Sequence, residues 1–177
     1  TLVGATTRLG NISTPMRDRF GAIFRLDFYQ KDEIFKILKR TASILEMNVQ
    51  DDALTEIAGR SRGTPRIANR VLKRVRDFAQ VKNVKEISLE DARSSLDSIG
   101  IDENGLENMD RKILKNLIVN YNGGPTGGKS LAISINEDIQ TIEDVYEPYL
   151  IKEGFIERTS RGRIATDKAY ALFDLKK

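Results

Sequence analysis

Hydrophobic and polar positions follow two different spacings along this chain. In residues 1–30 the apolar residues come in short runs, Leu2-Val3 and then Ile23, Phe24, Leu26 and Phe28. Such runs predict a strand, a loop and a second strand. From residue 31 apolar residues recur every three or four positions. Ile34, Ile37, Leu38 and Leu45 predict a helix from Asp32 to about Met47, and a shorter one spans Asp51 to Ala58, stopping at Gly59. Thr64-Pro65 supplies an N-cap and a proline at the first helical position, ahead of the stripe Ile67, Val71, Val75 and Phe78. Ser88-Leu89-Glu90-Asp91 has the form of a capping box for a fourth helix.

The polar stretch 101–108 reads as a linker. Beyond it, Ile113, Leu114, Leu117 and Ile118 predict a helix ending near Asn122-Gly123-Gly124. A short helix is expected over Ser130–Ile135, and a third from a cap at Thr141 to Gly154. Phe155–Thr159 and Ile164–Thr166 flank Ser160-Arg161-Gly162-Arg163, a hairpin pattern, and Asp167–Leu175 closes as a helix. Three helices, a hairpin and a closing helix describe a winged-helix domain. The expected fold is thus mostly α with minor β. Residues 1–30 would be the last strands of an α/β domain, 31–101 a small four-helix domain and 102–177 the winged helix. The chain begins at Thr1, on what reads as a buried strand with no preceding partner strands, so it is expected to be the C-terminal part of a longer protein.

Composition excludes several chemistries. Among 177 residues there is no Cys and no His, which removes disulfides, thiolate and imidazole metal sites, and Ser-His or Cys-His nucleophiles. No apolar run approaches the ~18 residues of a membrane span, and no signal peptide opens the chain. The default address is cytoplasmic, with no membrane partner. The net charge of +3 is small, and its distribution says more. Residues 60–85 carry nine basic side chains against Asp77 alone, a net +8. Arg66 stands in a first helical turn, where free N–H groups and a guanidinium together suit a phosphate; the competing reading is a solvated helix face. Arg17 and Arg19 stand in a loop between the predicted strands, suited either to phosphate or to surface pairing with Asp18. Arg158, Arg161 and Arg163 surround Gly162 on the hairpin. Residues 137–147 hold Glu137, Asp138, Glu143, Asp144 and Glu147 with no Lys or Arg. The third helix is therefore wrong for DNA and the hairpin right for it, which points to backbone contact without base readout.

Gly123-Gly124-Pro125-Thr126-Gly127-Gly128-Lys129-Ser130 matches the phosphate-loop pattern G-x-x-x-x-G-K-[ST] letter for letter. That loop needs a strand before it and a parallel sheet around it. Here the preceding segment has helical spacing and only 47 residues follow Ser130. The segment is expected to be a glycine-rich turn between two helices.

Gly4-Ala5-Thr6-Thr7-Arg8, Pro15-Met16-Arg17-Asp18-Arg19-Phe20-Gly21, Phe28-Tyr29, Arg62-Gly63-Thr64-Pro65-Arg66-Ile67-Ala68-Asn69-Arg70 and the tail Arg158–Thr166 together resemble the RuvB family, the bacterial AAA+ motors of Holliday-junction branch migration. The resemblance implies the end of a large ATPase domain, an AAA+ lid and a winged-helix head. It implies that Thr7 is a sensor at a strand end and that Arg19 is an arginine finger, with Arg17 the competing candidate. Tyr29 would pack near adenine, Arg66 would be a second sensor, and Arg158 and Arg163 would contact the DNA backbone. It further implies ATP or ADP with Mg²⁺, held mainly by Walker segments that this sequence lacks, so that this chain alone would not hydrolyse ATP. The implied partners are double-stranded DNA and Holliday junctions, RuvA, RuvC in a resolvase complex, and copies of itself in a hexameric ring. The alternative reading is a passive winged-helix DNA-binding regulator, which leaves the Arg17–Arg19 loop and the Gly-Thr-Pro-Arg segment unused.

Overall fold

A computed structural model describes residues 1–6 and 8–176. It is built around two hydrophobic cores in sequence. The first is made by four helices: α2 (Lys31–Ile44), α3 (Asp51–Gly59), α4 (Pro65–Val81) and α5 (Leu89–Ser98). Each buries one stripe. Ile34, Leu38 and Ala42 of α2 meet Leu54 and Ile57 of α3, Val71, Leu72 and Val75 of α4, and Ala92 and Leu96 of α5. Thr64 and Ser88 stand at the N-cap positions that the sequence predicts, with a side-chain cap bond at Ser88 alone of the two, and α2 is capped at Gln30. The Gln30 N–H donates to Glu33 Oε2 at 2.8 Å, and Ser88 and Asp91 form the reciprocal box, with Asp91 N–H on Ser88 Oγ at 3.2 Å and Ser88 N–H on Asp91 Oδ2 at 3.1 Å. The Ser88 hydroxyl, which donates to Asp91 Oδ2 at 2.6 Å, and then the Ser88 N–H hold the Asp91 carboxyl below its ordinary range.

The second core belongs to the winged helix. Helix α6 (Asn108–Tyr121) ends at Asn122 in the left-handed region, and α7 (Gly128–Ile135) follows the glycine-rich turn. A continuous helical run then comprises α8 (Ile139–Thr141), a π-helical stretch (Ile142–Tyr146) and α9 (Glu147–Lys152). It starts earlier than the cap expected at Thr141, because Asp138 is the cap, its Oδ1 accepting from Thr141 N–H at 3.0 Å. Strands β1 (Ile156–Thr159) and β2 (Gly162–Ala165) pair antiparallel through a two-residue turn, and α10 (Asp167–Ala171) closes the domain. Ile113, Leu117, Leu131, Leu150, Phe155 and Ala169 are among the side chains that fill this core.

The strands expected within residues 1–30 are not formed. That segment has a 3₁₀ turn (Leu9–Asn11) and a short helix α1 (Thr14–Arg17), and among its described residues no strand. Val3, Phe24 and Leu26 are more than 80% exposed. A parallel-sheet strand needs neighbours on both sides, and the only sheet among the described residues is the β1–β2 pair.

The stretch expected to be a linker is a fixed corner. Asp102 Oδ1 accepts from the N–H groups of Asn104 and Leu106 at 3.0 and 2.8 Å, and Gly105 and Leu106 are buried. Arg62, between α3 and α4, crosses this corner. Its Nε donates to Gly105 O at 2.9 Å, its Nη2 bonds the carboxylate of Asp110, and its guanidinium lies 4.8 Å from the centroid of the Tyr149 ring. Tyr149 Oη donates to Asn104 O at 2.7 Å, and burial pushes its pKa up to about 12. Arg60 Nη1 donates to Ile101 O at 3.0 Å beside it. Asp110 is fully buried. Burial drives its pKa up, further than Arg62 and the Glu107 N–H draw it down.

Desolvation of such a pair offsets most of its attraction, so its main consequence is geometric. Removing one partner alone leaves a buried charge. Arg62→Ala is expected to cost about 3–5 kcal/mol in urea unfolding, whereas Arg62→Met combined with Asp110→Leu should recover most of that loss.

Candidate functional site

The wing hairpin gathers the residues with the clearest chemistry. In the β1–β2 register Arg158 stands directly opposite Arg163, so both side chains leave the same face of the hairpin. Their environments differ. Arg158 is exposed, and Arg161 is exposed at the turn. Arg163 is turned inwards, with 7% of its side chain exposed; its Nε donates to Glu147 Oε1 at 2.6 Å and its Nη2 to Glu143 Oε1 at 2.5 Å. Burial pulls the Arg163 pKa down, but the bonds to Glu147 and Glu143 outweigh that and leave it raised. The expectation that Arg163 touches the DNA backbone therefore meets a guanidinium already occupied by two carboxylates. The acidic stretch 137–147 is not a bare repulsive face either: Glu143 and Glu147 hold the wing, and Asp144 pairs with Arg8.

The phosphate-loop match is the turn between α6 and α7 together with the first residues of α7, and two of its glycines, Gly124 and Gly128, pack against the wing. Thr126 pairs with Arg163 through two backbone bonds, Thr126 N–H on Arg163 O at 3.0 Å and Arg163 N–H on Thr126 O at 2.9 Å. Gly128 opens α7 directly beneath the Arg163 guanidinium, where a Cβ would stand 2.5 Å from Nη1. Gly124 has a φ of +93° and passes against the Arg163 carbonyl. The turn thus needs glycine for close approach to β2 rather than for a bound phosphate. Lys129 is exposed.

The residues expected to face a nucleotide are more dispersed. Thr7 lies outside the described residues. Arg19 is exposed and makes no ion pair among the described residues, while the neighbouring Arg17 is held back, its Nη2 donating to Thr14 Oγ1 at 3.0 Å. Tyr29 is 46% exposed, and its N–H donates to Gly63 O at 2.9 Å. That bond ties residue 29 to the turn leading into α4, where Arg66 stands exposed in the first helical turn. Tyr29, Lys31, Gly59, Arg62, Gly63 and Lys152 line a cavity of about 160 Å³ between the two cores. Lys152 also places its Nζ 4.7 Å from the Phe28 ring centroid.

Residues 29–102 match the family model described as the RuvB AAA lid domain, and residues 103–174 match the RuvB C-terminal winged helix domain. The chain belongs to the RuvB family. It is 54% identical over 175 residues to the Holliday junction branch migration complex subunit RuvB of Oleidesulfovibrio alaskensis, covering 99% of this chain and 54% of that protein. It is 50% identical over 173 residues to the protein of the same name from Fusobacterium nucleatum, covering 98% and 52%. The chain thus spans about half the length of these relatives. A Thermotoga maritima RuvB mutant structure superposes with a TM-score of 0.93 at 47% identity, over 98% of this chain and 58% of that one. The structure of the Thermotoga maritima RuvB Holliday junction branch migration motor gives 0.90 at 46%, over 95% and 56%.

Two positions in this RuvB-family chain escaped the sequence reading. Asp110 and Glu147 are carboxylates on apolar helical stripes, Asp110 with Ile113, Leu114 and Leu117, and Glu147 with Leu150. A charge at a core-facing position marks a buried partner, and here the partners are Arg62 and Arg163. If the glycine-rich turn is built for the wing, Gly128→Ala should cost about 1–3 kcal/mol in a thermal melt. Lys129→Ala, one residue on, should stay within about 0.5 kcal/mol of the parent.

Proposed function

We propose that this chain supplies the lid and the DNA-gripping head of an ATP-driven motor that moves Holliday junctions by branch migration. The observation that carries the reading is the wing: Arg158 and Arg161 face solvent on a two-stranded hairpin anchored to a winged-helix core. Relatives that align with nearly all of this chain carry branch migration in their names. Sequence-independent grip is supported by the helical run before the wing, whose residues 139–147 carry Glu143, Asp144 and Glu147 and no Lys or Arg to enter a groove, while guanidinium groups on the wing suit phosphate.

The nucleotide side of the motor rests on Arg19, Tyr29 and Arg66. ATP with Mg²⁺ would be held mainly by Walker segments outside this sequence. The residues present fit its periphery: a free guanidinium in a first helical turn at Arg66, and a half-exposed ring at Tyr29 tied to the same turn. Bound there, the nucleotide supplies a γ-phosphoryl group for hydrolysis. Arg19 rather than Arg17 suits a finger reaching a neighbouring copy, because its side chain is free while Arg17 is bonded to Thr14. Thr7 would polarise water as the first sensor. A ring of six copies gives every finger a neighbouring nucleotide, and RuvA and RuvC would meet the ring at the junction.

Replacing both Arg158 and Arg161 with Ala should weaken binding of this chain by a similar factor on unrelated duplexes. The log–log salt slope should fall by up to about 0.9 for each phosphate that is no longer neutralised, read by fluorescence anisotropy. A loss confined to one sequence would contradict backbone grip. In the full-length protein, Arg19→Ala should abolish ATP hydrolysis and leave ATP binding intact, because a finger acts on the transition state. Loss of binding in calorimetry would remove Arg19 from that role.

A further inference from the structure

Arg158 is exposed without being free. Its Nη2 lies 3.4 Å from Glu143 Oε1 and its Nη1 3.7 Å from Glu147 Oε2. Arg163, across the hairpin, takes the same two carboxylates at much shorter range. Two arginines and two glutamates thus close a four-charge cluster of zero net charge between the wing and the helical run. Its members are graded in exposure: 2% for the Glu147 side chain, 7% for Arg163, 28% for Glu143 and 56% for Arg158. The inner pair is sealed. The outer pair, Glu143 with Arg158, faces water at a distance where the bond is loose.

We propose that Glu143 competes with DNA phosphate for Arg158, and so sets the wing's grip weaker than its arginines alone would make it. The inference rests on the reading of the wing as a backbone contact. A phosphate that takes Arg158 must displace the carboxylate, and Glu143 cannot retreat because Arg163 holds it at 2.5 Å. The anion therefore stays well within a Debye length of the incoming phosphate and repels it. Exposed ion pairs of this kind are worth little individually, so the effect is a modest weakening rather than a block. A motor that must release and regrip DNA is served by a contact of this strength.

The test uses this chain with unrelated duplexes over a range of salt. Glu143→Gln removes the competing charge and is expected to raise affinity about 2–5-fold on every duplex. It should also steepen the log–log salt slope by up to about 0.9, as Arg158 comes to neutralise a whole phosphate. Asp144→Asn makes the same change in net charge one residue away, at a group paired with Arg8, and should give less than half the effect. The gain should vanish when Glu143→Gln is placed on Arg158→Ala. An unchanged affinity, a gain matched by Asp144→Asn, or a gain that survives Arg158→Ala overturns the proposal. If Glu143→Gln melts early, Glu143→Asp draws the carboxylate back by one methylene, and the proposal requires the same direction of change. Should Arg158→Ala alone leave binding unaltered, the wing reading itself fails. Should Arg158→Ala weaken binding while neither Glu143 variant strengthens it, only the competition fails.

Discussion

A single buried guanidinium joins two hydrophobic cores that otherwise meet at a short corner. Arg62 leaves a left-handed position between α3 and α4 and ends on Gly105, Asp110 and Tyr149 of the neighbouring domain. Much of what surrounds it is arranged so that this crossing can occur. Gly105 has no room for a Cβ, which would lie 2.9 Å from Tyr149 Oη and 3.1 Å from Arg60 O. Tyr149 is fixed by Asn104, and Arg60 by Ile101. An ion pair stripped of water adds little net stability. Its fixed fork geometry does select one orientation, because any rotation of one domain on the other would leave Asp110 buried without its partner.

The same logic recurs at the wing, with a different result. Arg163 is held by Glu147 and Glu143, and those bonds set the angle at which the hairpin leaves the helical run. Three glycines carry the close approaches: Gly124 on the turn after α6, Gly128 at the start of α7, and Gly162 at the start of β2. Fixed side chains run from the lid to the hairpin: Arg62, just before α4, crosses the corner to Asp110 and Tyr149, and Glu147, on the same helical run as Tyr149, holds Arg163 of β2. Arg62–Asp110 and Arg163–Glu147 are ion pairs largely sealed from water, Arg62 lies over the Tyr149 ring, and Tyr149 and Glu147 are joined by their shared helical run.

The helices, the Ser88 cap and the hairpin are legible in the sequence because each rests on local chemistry: proline at a first turn, serine three residues before an aspartate, glycine beside a two-residue turn. The glycine-rich turn was also legible, since helical spacing on its N-terminal side ruled out the strand a phosphate loop requires. The strands expected before residue 30 failed for the opposite reason. Leu2-Val3 and Ile23–Phe28 have strand composition, but a strand exists only with a partner, and the described residues offer none. Sequence spacing does not reveal which arginine turns inwards, so Arg62 stands out only as one of a basic run and Arg163 only as a hairpin cation suited to DNA. The reciprocal signal was present at Asp110 and Glu147, acidic residues on apolar stripes. It becomes readable when the carboxylate, rather than the arginine, is taken as the starting point.

The Arg62 crossing makes the lid and the winged helix one body. The chain has no cysteine, so spin labels at Lys73→Cys on α4 and Glu157→Cys on β1, both exposed, report the distance between the domains without competing sites. Pulsed dipolar spectroscopy should give one narrow distance distribution for the doubly labelled chain, and a broad or multiple one when Arg62→Ala is added. A broad distribution with Arg62 intact, or an unchanged narrow one without it, would contradict the account.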